Sequence, residues 1–243
     1  IVLNKLRENP GQGEGEVFDG ATVFQGENDL SFINPGGSEV SPGSLTRPVE
    51  AGGESLQMPI PDDAPTGPYS EGNLTVFVQN PTISTAEVQF RNDDVSQVRS
   101  ENADELEIVA DWNFGIAEDL EITVEGPSGN DITNQVTDEV LLQDRTPGLS
   151  SDSIDLDLSG EDEGEYTVIF EGEDDLGGEV AEEYTIETTS ADDVEIDVDE
   201  DSVTRSTDLE YTVSGGLNND YHVVAIEQSD FRSGVSIDDA ADR

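Results

Sequence analysis

The chain has 243 residues, 58 of them acidic and 9 basic, for a formal charge of −49. One lysine (Lys5) and eight scattered arginines cannot form a phosphate-neutralising patch, which excludes a nucleic-acid binder. No apolar run approaches the ~20 residues of a membrane-spanning helix. The absence of cysteine excludes a disulfide scaffold, thiolate metal sites and a Cys nucleophile.

In chain order, residues 1–16 are polar and glycine-rich and are expected to form an arm or an irregular first strand. The chain opens on Ile1 with neither a start methionine nor a signal sequence, as a processed or excised product would. Residues 17–24 and 29–33 read as short strands separated by Gly26. Seven prolines between residues 34 and 72 forbid helix and allow only turns and short extended pieces. Residues 74–79 make a strand that Asn80-Pro81 terminates, placing a first domain at 1–82. Seven strand patterns follow, at 86–91, 106–113, 120–125, 132–136, 154–158, 166–171 and 183–188. Their spacing of about ten residues predicts a β-sandwich of immunoglobulin type over 83–190. Trp112, the only tryptophan, is its expected core anchor, and Tyr166, after Gly164-Glu165, suits a strand that begins at a tight corner. The patterns at 86–90, 106–110 and 120–124 return in order at 192–196, 209–213 and 221–225. A shift of roughly one hundred residues is one sandwich domain. Residues 191–243 then hold the first three strands of a third domain. Three strands cannot close a sandwich, so the natural protein is expected to continue past Arg243 or to complete these strands on a neighbour. Helical signal is confined to residues 238–243. The fold class is all-β, with tandem immunoglobulin-like sandwiches.

So much charge with so little apolar content would ordinarily predict disorder. Periodicity argues otherwise. In residues 194–201, Val194, Ile196 and Val198 fall on one side of a strand and Glu195, Asp197 and Asp199 on the other. Ile154, Leu156 and Leu158 alternate with Asp155 and Asp157 in the same way. Period two is the mark of a half-buried strand, so the acid is the solvent face of a folded β protein. Such a surface repels itself in dilute buffer. At 1 M salt the Debye length is only about 3 Å and the repulsion is screened. The composition is that of a protein adapted to multimolar salt.

Candidate sites are few. His222, the sole histidine, heads the apolar segment 223–226, and no nucleophile-elbow pattern accompanies it, so the chain is not expected to be an enzyme. With 58 acids, a chance carboxylate pair carries no information about glycoside hydrolysis. The glycines at 11–15 lack the strand and the Lys-Ser/Thr of a phosphate loop. Asp197, Asp199 and Asp201 have the alternate-oxygen spacing of a calcium loop, but Ser202 stands where glycine is required. They are weak candidates for structural Ca²⁺ or Mg²⁺. Asp62-Asp63, Asp174-Asp175 and Asp192-Asp193 lie near loops or domain junctions, where a divalent ion would stiffen an extended array. Asn73-Leu74-Thr75 is the only N-glycosylation sequon, at an exposed strand entry after Gly72, and Asn73 is the expected carrier of an N-linked glycan.

Several segments are more particular than a generic strand: Gly20-Ala-Thr-Val-Phe-Gln-Gly-Glu27, Glu39-Val-Ser-Pro42, Leu56-Gln-Met-Pro-Ile-Pro61, Val109-Ala-Asp-Trp-Asn-Phe114, Gly126-Pro-Ser-Gly-Asn-Asp-Ile-Thr133, Gly164-Glu-Tyr-Thr167 and Tyr221-His-Val-Val-Ala-Ile226. Together they resemble the mature N-terminal region of haloarchaeal surface-layer glycoproteins over nearly the whole chain. The resemblance implies a secreted glycoprotein built from immunoglobulin-like domains, with a stalk and a C-terminal membrane anchor that are expected to lie beyond this stretch. It also implies assembly with copies of itself, through hexameric units, into a porous lattice at the cell surface, aided by divalent cations. An adhesin or carbohydrate-binding surface module is the alternative class, and a secreted salt-adapted hydrolase a third. The charge alone generates one test: circular dichroism should report loss of β structure on dialysis from multimolar salt into dilute buffer, and an unchanged spectrum would refute the salt-adapted reading.

Overall fold

A computed structural model describes residues 15–144, 146, 148–177, 180–190, 195–198 and 210–214. The chain divides into two compact units, Ile1–Ala191 and Asp192–Arg243. The expected arm before residue 15, the strand at 221–225 with His222, and the helical signal at 238–243 lie outside the described residues.

The first unit holds two hydrophobic cores. In the N-terminal one, β1 (Gly15–Phe18) and β2 (Thr22–Phe24) are separate strands. The sequence pattern ran them together, but Asp19-Gly20 turns the chain, with Gly20 at φ 89°. β1 pairs in parallel with β3 (Leu30–Ile33), which takes β4 (Glu39–Val40) on its other side. β2 pairs in parallel with β6 (Leu74–Gln79), the second strand of a hairpin with β5 (Gly67–Glu71). The Pro-rich stretch thus yields one full strand, β5, as well as turns. Pro68 is tolerated because β5 is the edge of its sheet. Leu45, Leu56 and Ile60 from the same stretch are buried against Val23, Phe32, Tyr69, Leu74, Val76 and Val78. A proline-rich segment therefore becomes an ordered wall of a core. The Tyr69 hydroxyl donates to the Pro65 carbonyl at 3.0 Å and ties down the entry to β5.

The second core lies between two sheets. One runs β13 (Ser150–Leu156), β10 (Leu106–Trp112), β7 (Ile83–Phe90), β8 (Asp93–Asp94), all antiparallel. The other runs β12 (Leu141–Leu142), β11 (Leu120–Glu125), β14 (Gly164–Gly172), β15 (Ala181–Thr189), β9 (Gln97–Arg99); β9 alone joins in parallel. Strict alternation builds the core. Leu106, Ile108, Ala110 and Trp112 of β10 point inward, as do Leu120, Ile122 and Val124 of β11 and Tyr166, Val168 and Phe170 of β14. Trp112 is wholly buried, as its expected anchoring role requires. Leu156 and Leu158 are buried while Asp155 and Asp157 are exposed. The β7–β8 turn has Arg91 and Asn92 at φ 55° and 70°, the two positive values of a type I′ hairpin.

Residues 132–136 are a correction: they form not a strand but a short helical turn, α1 (Thr133–Val136). Ile132 and Val136 are both buried, and a four-residue spacing suits a helix face as well as a strand. The Asp131 carboxylate decides between them. It accepts the Thr133 N–H at 2.9 Å and the Thr133 hydroxyl at 2.6 Å, which starts a turn.

In the second unit, β16 (Glu195–Val198) and β17 (Tyr211–Ser214) pair antiparallel. Of the strand read from the alternation at 194–201, the described residues 195–198 are in strand, and the others lie outside the described residues. Its inward face is not buried, however: Ile196 and Val198 are 46% and 42% exposed.

Candidate surface site and acidic junction

Asn73 and Gly72 form the two-residue turn of the β5–β6 hairpin, with Gly72 at φ 60°. Asn73 is exposed. The third sequon residue is held firmly: the Thr75 N–H donates to the Asp19 carboxylate at 2.9 Å, and its hydroxyl lies 2.9 Å from that of Ser70. Beside the turn is an open depression of roughly 600 Å³, with Asn73 on its rim.

Asp197 lies on β16 and is exposed; Asp199 and Asp201 lie outside the described residues. Asp62 and Asp63 are exposed in a turn. Asp174-Asp175 is different, because the fold brings this pair to the meeting point of the two cores. There Phe24, which ends β2, leaves its own core and packs edge-on against Phe114 of the second, with ring centres 6.4 Å apart. The Glu27 carboxylate turns back to accept the Phe24 N–H at 2.6 Å. Next along, the Asn28 N–H donates to the Asp175 carboxylate at 2.9 Å, and the Asn28 side-chain amide donates to its second oxygen.

Glu118 holds the other side of this contact. It is fully buried, and its carboxylate accepts the N–H of Asp174 at 3.0 Å and that of Leu176 at 3.1 Å. The loop that carries Asp175 is thereby folded against the sandwich. Gly172 permits the approach: a Cβ there would come within 2.7 Å of the Leu176 Cβ and 3.1 Å of a Glu118 oxygen. Asp119, also buried, accepts the Gln143 side-chain amide at 2.8 Å. Burial raises the pKa of Glu118 to about 7 against the lowering effect of the two N–H donors, and the nearby Asp175 and Glu27 charges raise it further. Asp175 is raised too, chiefly by burial.

These buried acids are exceptions to the rule that acid faces solvent. No local signal distinguishes Glu118 from the other acids; only its position between the buried Ala117 and Leu120 sets it apart. The junction does not fit a metal site. The carboxylates of Glu118 and Asp175 already accept backbone and amide N–H groups. Among the described residues, no group of three or more potential ligands is placed to hold an ion.

No family model matches the chain. Individual proteins do. A cell surface glycoprotein of Halobacterium salinarum is 38% identical over 95% of the chain. The corresponding proteins of Haloarcula marismortui and Haloarcula japonica are 36% and 35% identical over 95% and 91%. The chain is a homologue of the haloarchaeal cell surface glycoproteins. It spans about 29% of the length of these relatives. Homology to proteins of the halophile surface places the chain outside the cell, as a surface component. It also agrees with the acidic composition, which suits a medium of molar salt.

The buried glutamate gives a pH test. Below pH ~4.5 Glu118 is protonated whether the chain is folded or not. As pH rises toward 7 the unfolded chain releases that proton while the folded chain keeps it, so this residue's contribution to stability falls across that window and is lost above it. Glu118→Gln removes the titration and keeps one acceptor for the loop. Denaturant melts in multimolar salt should show the wild type losing stability relative to Glu118→Gln between pH 4.5 and 7; a constant difference across that window would contradict the assignment.

Proposed function

We propose that the chain is a structural, non-enzymatic part of a surface layer that assembles from copies of itself into a two-dimensional lattice coating a halophilic archaeal cell. The observation that carries this reading is the homology, over nearly the whole chain, to proteins of the haloarchaeal surface. The fold supports it. The strand orders β13-β10-β7-β8 and β12-β11-β14-β15-β9 support an immunoglobulin-like sandwich. The Tyr166 hydroxyl donates to the Asp162 carbonyl four residues upstream, the tyrosine-corner contact of that fold. Trp112 lies on β10, one strand earlier than the buried tryptophan of antibody domains. Sandwiches of this kind serve as stackable blocks, offering edges and loops to neighbours while the chemistry of the core stays inert.

In this reading the acidic faces keep copies soluble and apart until salt screens them. Divalent cations, Ca²⁺ or Mg²⁺, then bridge acidic faces between copies, and Asn73 carries an N-linked glycan on the outer surface. Electron microscopy of the full-length protein in multimolar NaCl with millimolar Ca²⁺ tests the assembly. Ordered sheets that a chelator dissolves are the expected result. A monomer at every concentration that instead binds added glycans would replace this reading with that of an adhesin.

A further inference from the structure

The depression beside Asn73 has two walls, both fixed by the backbone. One is the β5–β6 hairpin, closed by the Glu71–Leu74 pair. The other is the β3–β4 turn and the segment after it. In that turn the Asn34 side-chain oxygen accepts the N–H groups of Gly36 and Ser38 at 2.9 and 3.1 Å, and the Asn34 N–H donates to the Ser38 carbonyl at 2.9 Å. The segment ends in a single helical turn, Pro42–Ser44, after which the wholly buried Leu45 anchors it to the core. The depression is therefore part of the fold rather than a gap between loose loops. Its volume, about 600 Å³, lies within the range of small-molecule sites.

The lining has a particular chemistry. Two glutamates (Glu39 and Glu71), two serines (Ser41 and Ser44) and the small apolar Pro35 and Val40 line it, and the four polar residues are exposed. None of these four polar side chains is engaged in a hydrogen bond or ion pair with another described residue. Acceptors and two-way hydroxyls set among small apolar surfaces match a sugar ring, which has hydroxyl donors at its edge and C–H groups on its face. An apolar or anionic small molecule would meet the wrong groups here. The one asparagine that can carry a sugar stands on the rim, in a turn that the neighbouring Thr75 contacts hold still.

We infer that the first, neutral sugars of the Asn73 glycan dock in this depression and staple the β5–β6 hairpin to the segment spanning residues 34–44. This rests on the proposal that Asn73 is glycosylated and adds where the glycan goes. The attached sugars need only weak affinity of their own, because the covalent link supplies them at high local concentration. Docked, they withdraw the 34–44 segment from water and stiffen an exposed corner of the N-terminal core.

The experiment compares the full-length protein, made in a haloarchaeal host, with its Asn73→Gln variant in multimolar salt. Mass spectrometry of the peptide containing residue 73 reads occupancy, and hydrogen exchange of residues 34–44 reads docking. The expected result is an occupied Asn73 and several-fold slower exchange of 34–44 than in Asn73→Gln, with exchange across β10 and β14 unchanged. Ser41→Ala/Ser44→Ala, still glycosylated, should lose most of that protection. An occupied Asn73 with identical exchange in the two proteins overturns the docking and leaves the glycosylation standing. A bare Asn73 overturns both.

Discussion

The fold depends on one contact, the place where the chain carries an aromatic ring out of its first core and seats it in its second. Phe24 ends β2 and is wholly buried, yet its ring neighbour is Phe114. Hydrogen bonds reinforce the seat from both sides: Glu27 folds back on the Phe24 N–H, Asp175 grips Asn28, and Glu118 fixes the loop that carries Asp175. The short connection between the cores is also clamped. The Asn113 side chain accepts the Thr82 N–H and donates to the Asn80 carbonyl, both at 2.9 Å. Through these contacts the proline-rich N-terminal region and the sandwich belong to one compact unit.

A net charge of −49 constrains how such a junction can be made. At the junction the carboxylates of Glu118 and Asp175 take N–H groups as partners. That pairing has a physical cost, visible in the raised pKa of Glu118, because N–H dipoles compensate a buried charge less completely than water does. Elsewhere the acids stay outside, where salt screens them. The same residue types therefore play two parts, a solvated coat over the strands and a few N–H acceptors at the centre.

Much of this was legible in the sequence. Alternation located β6 and β11 to the residue and β10, β13, β14 and β15 to within a few, because each buries one face and only one. The tight corner expected at Tyr166 is fastened by its hydroxyl. Failures came where local pattern is silent or double-valued. Residues 17–24 read as one strand, since a turn at Asp19-Gly20 interrupts no apolar spacing. Ile132 and Val136 fit either period, and the Asp131 side chain settled the matter. β9 and β12 are too short to show a period. Among candidate sites, the exposure of Asn73 at a turn could be read from Gly72 and the strand beside it. The roles of Glu27, Glu118 and Asp175 could not, since partners 147 residues apart, as Asn28 and Asp175 are, leave no trace in local spacing.

In the proposed lattice a rigid block matters more than a responsive one, because a tile that bends at its own seams cannot hold a regular position among neighbours. The central claim is that residues 15–190 open as one block, and hydrogen exchange under native, high-salt conditions tests it most directly. The account predicts that the amides of Val76 and Val78 in the first core and of Val168 and Phe170 in the second exchange through a common opening. Phe24→Ala, a large-to-small core change that costs about 3–5 kcal/mol, should lower the free energy of that opening for both sets together. If the first core opens at a much lower free energy than the second, or if Phe24→Ala loosens one and spares the other, the account is wrong.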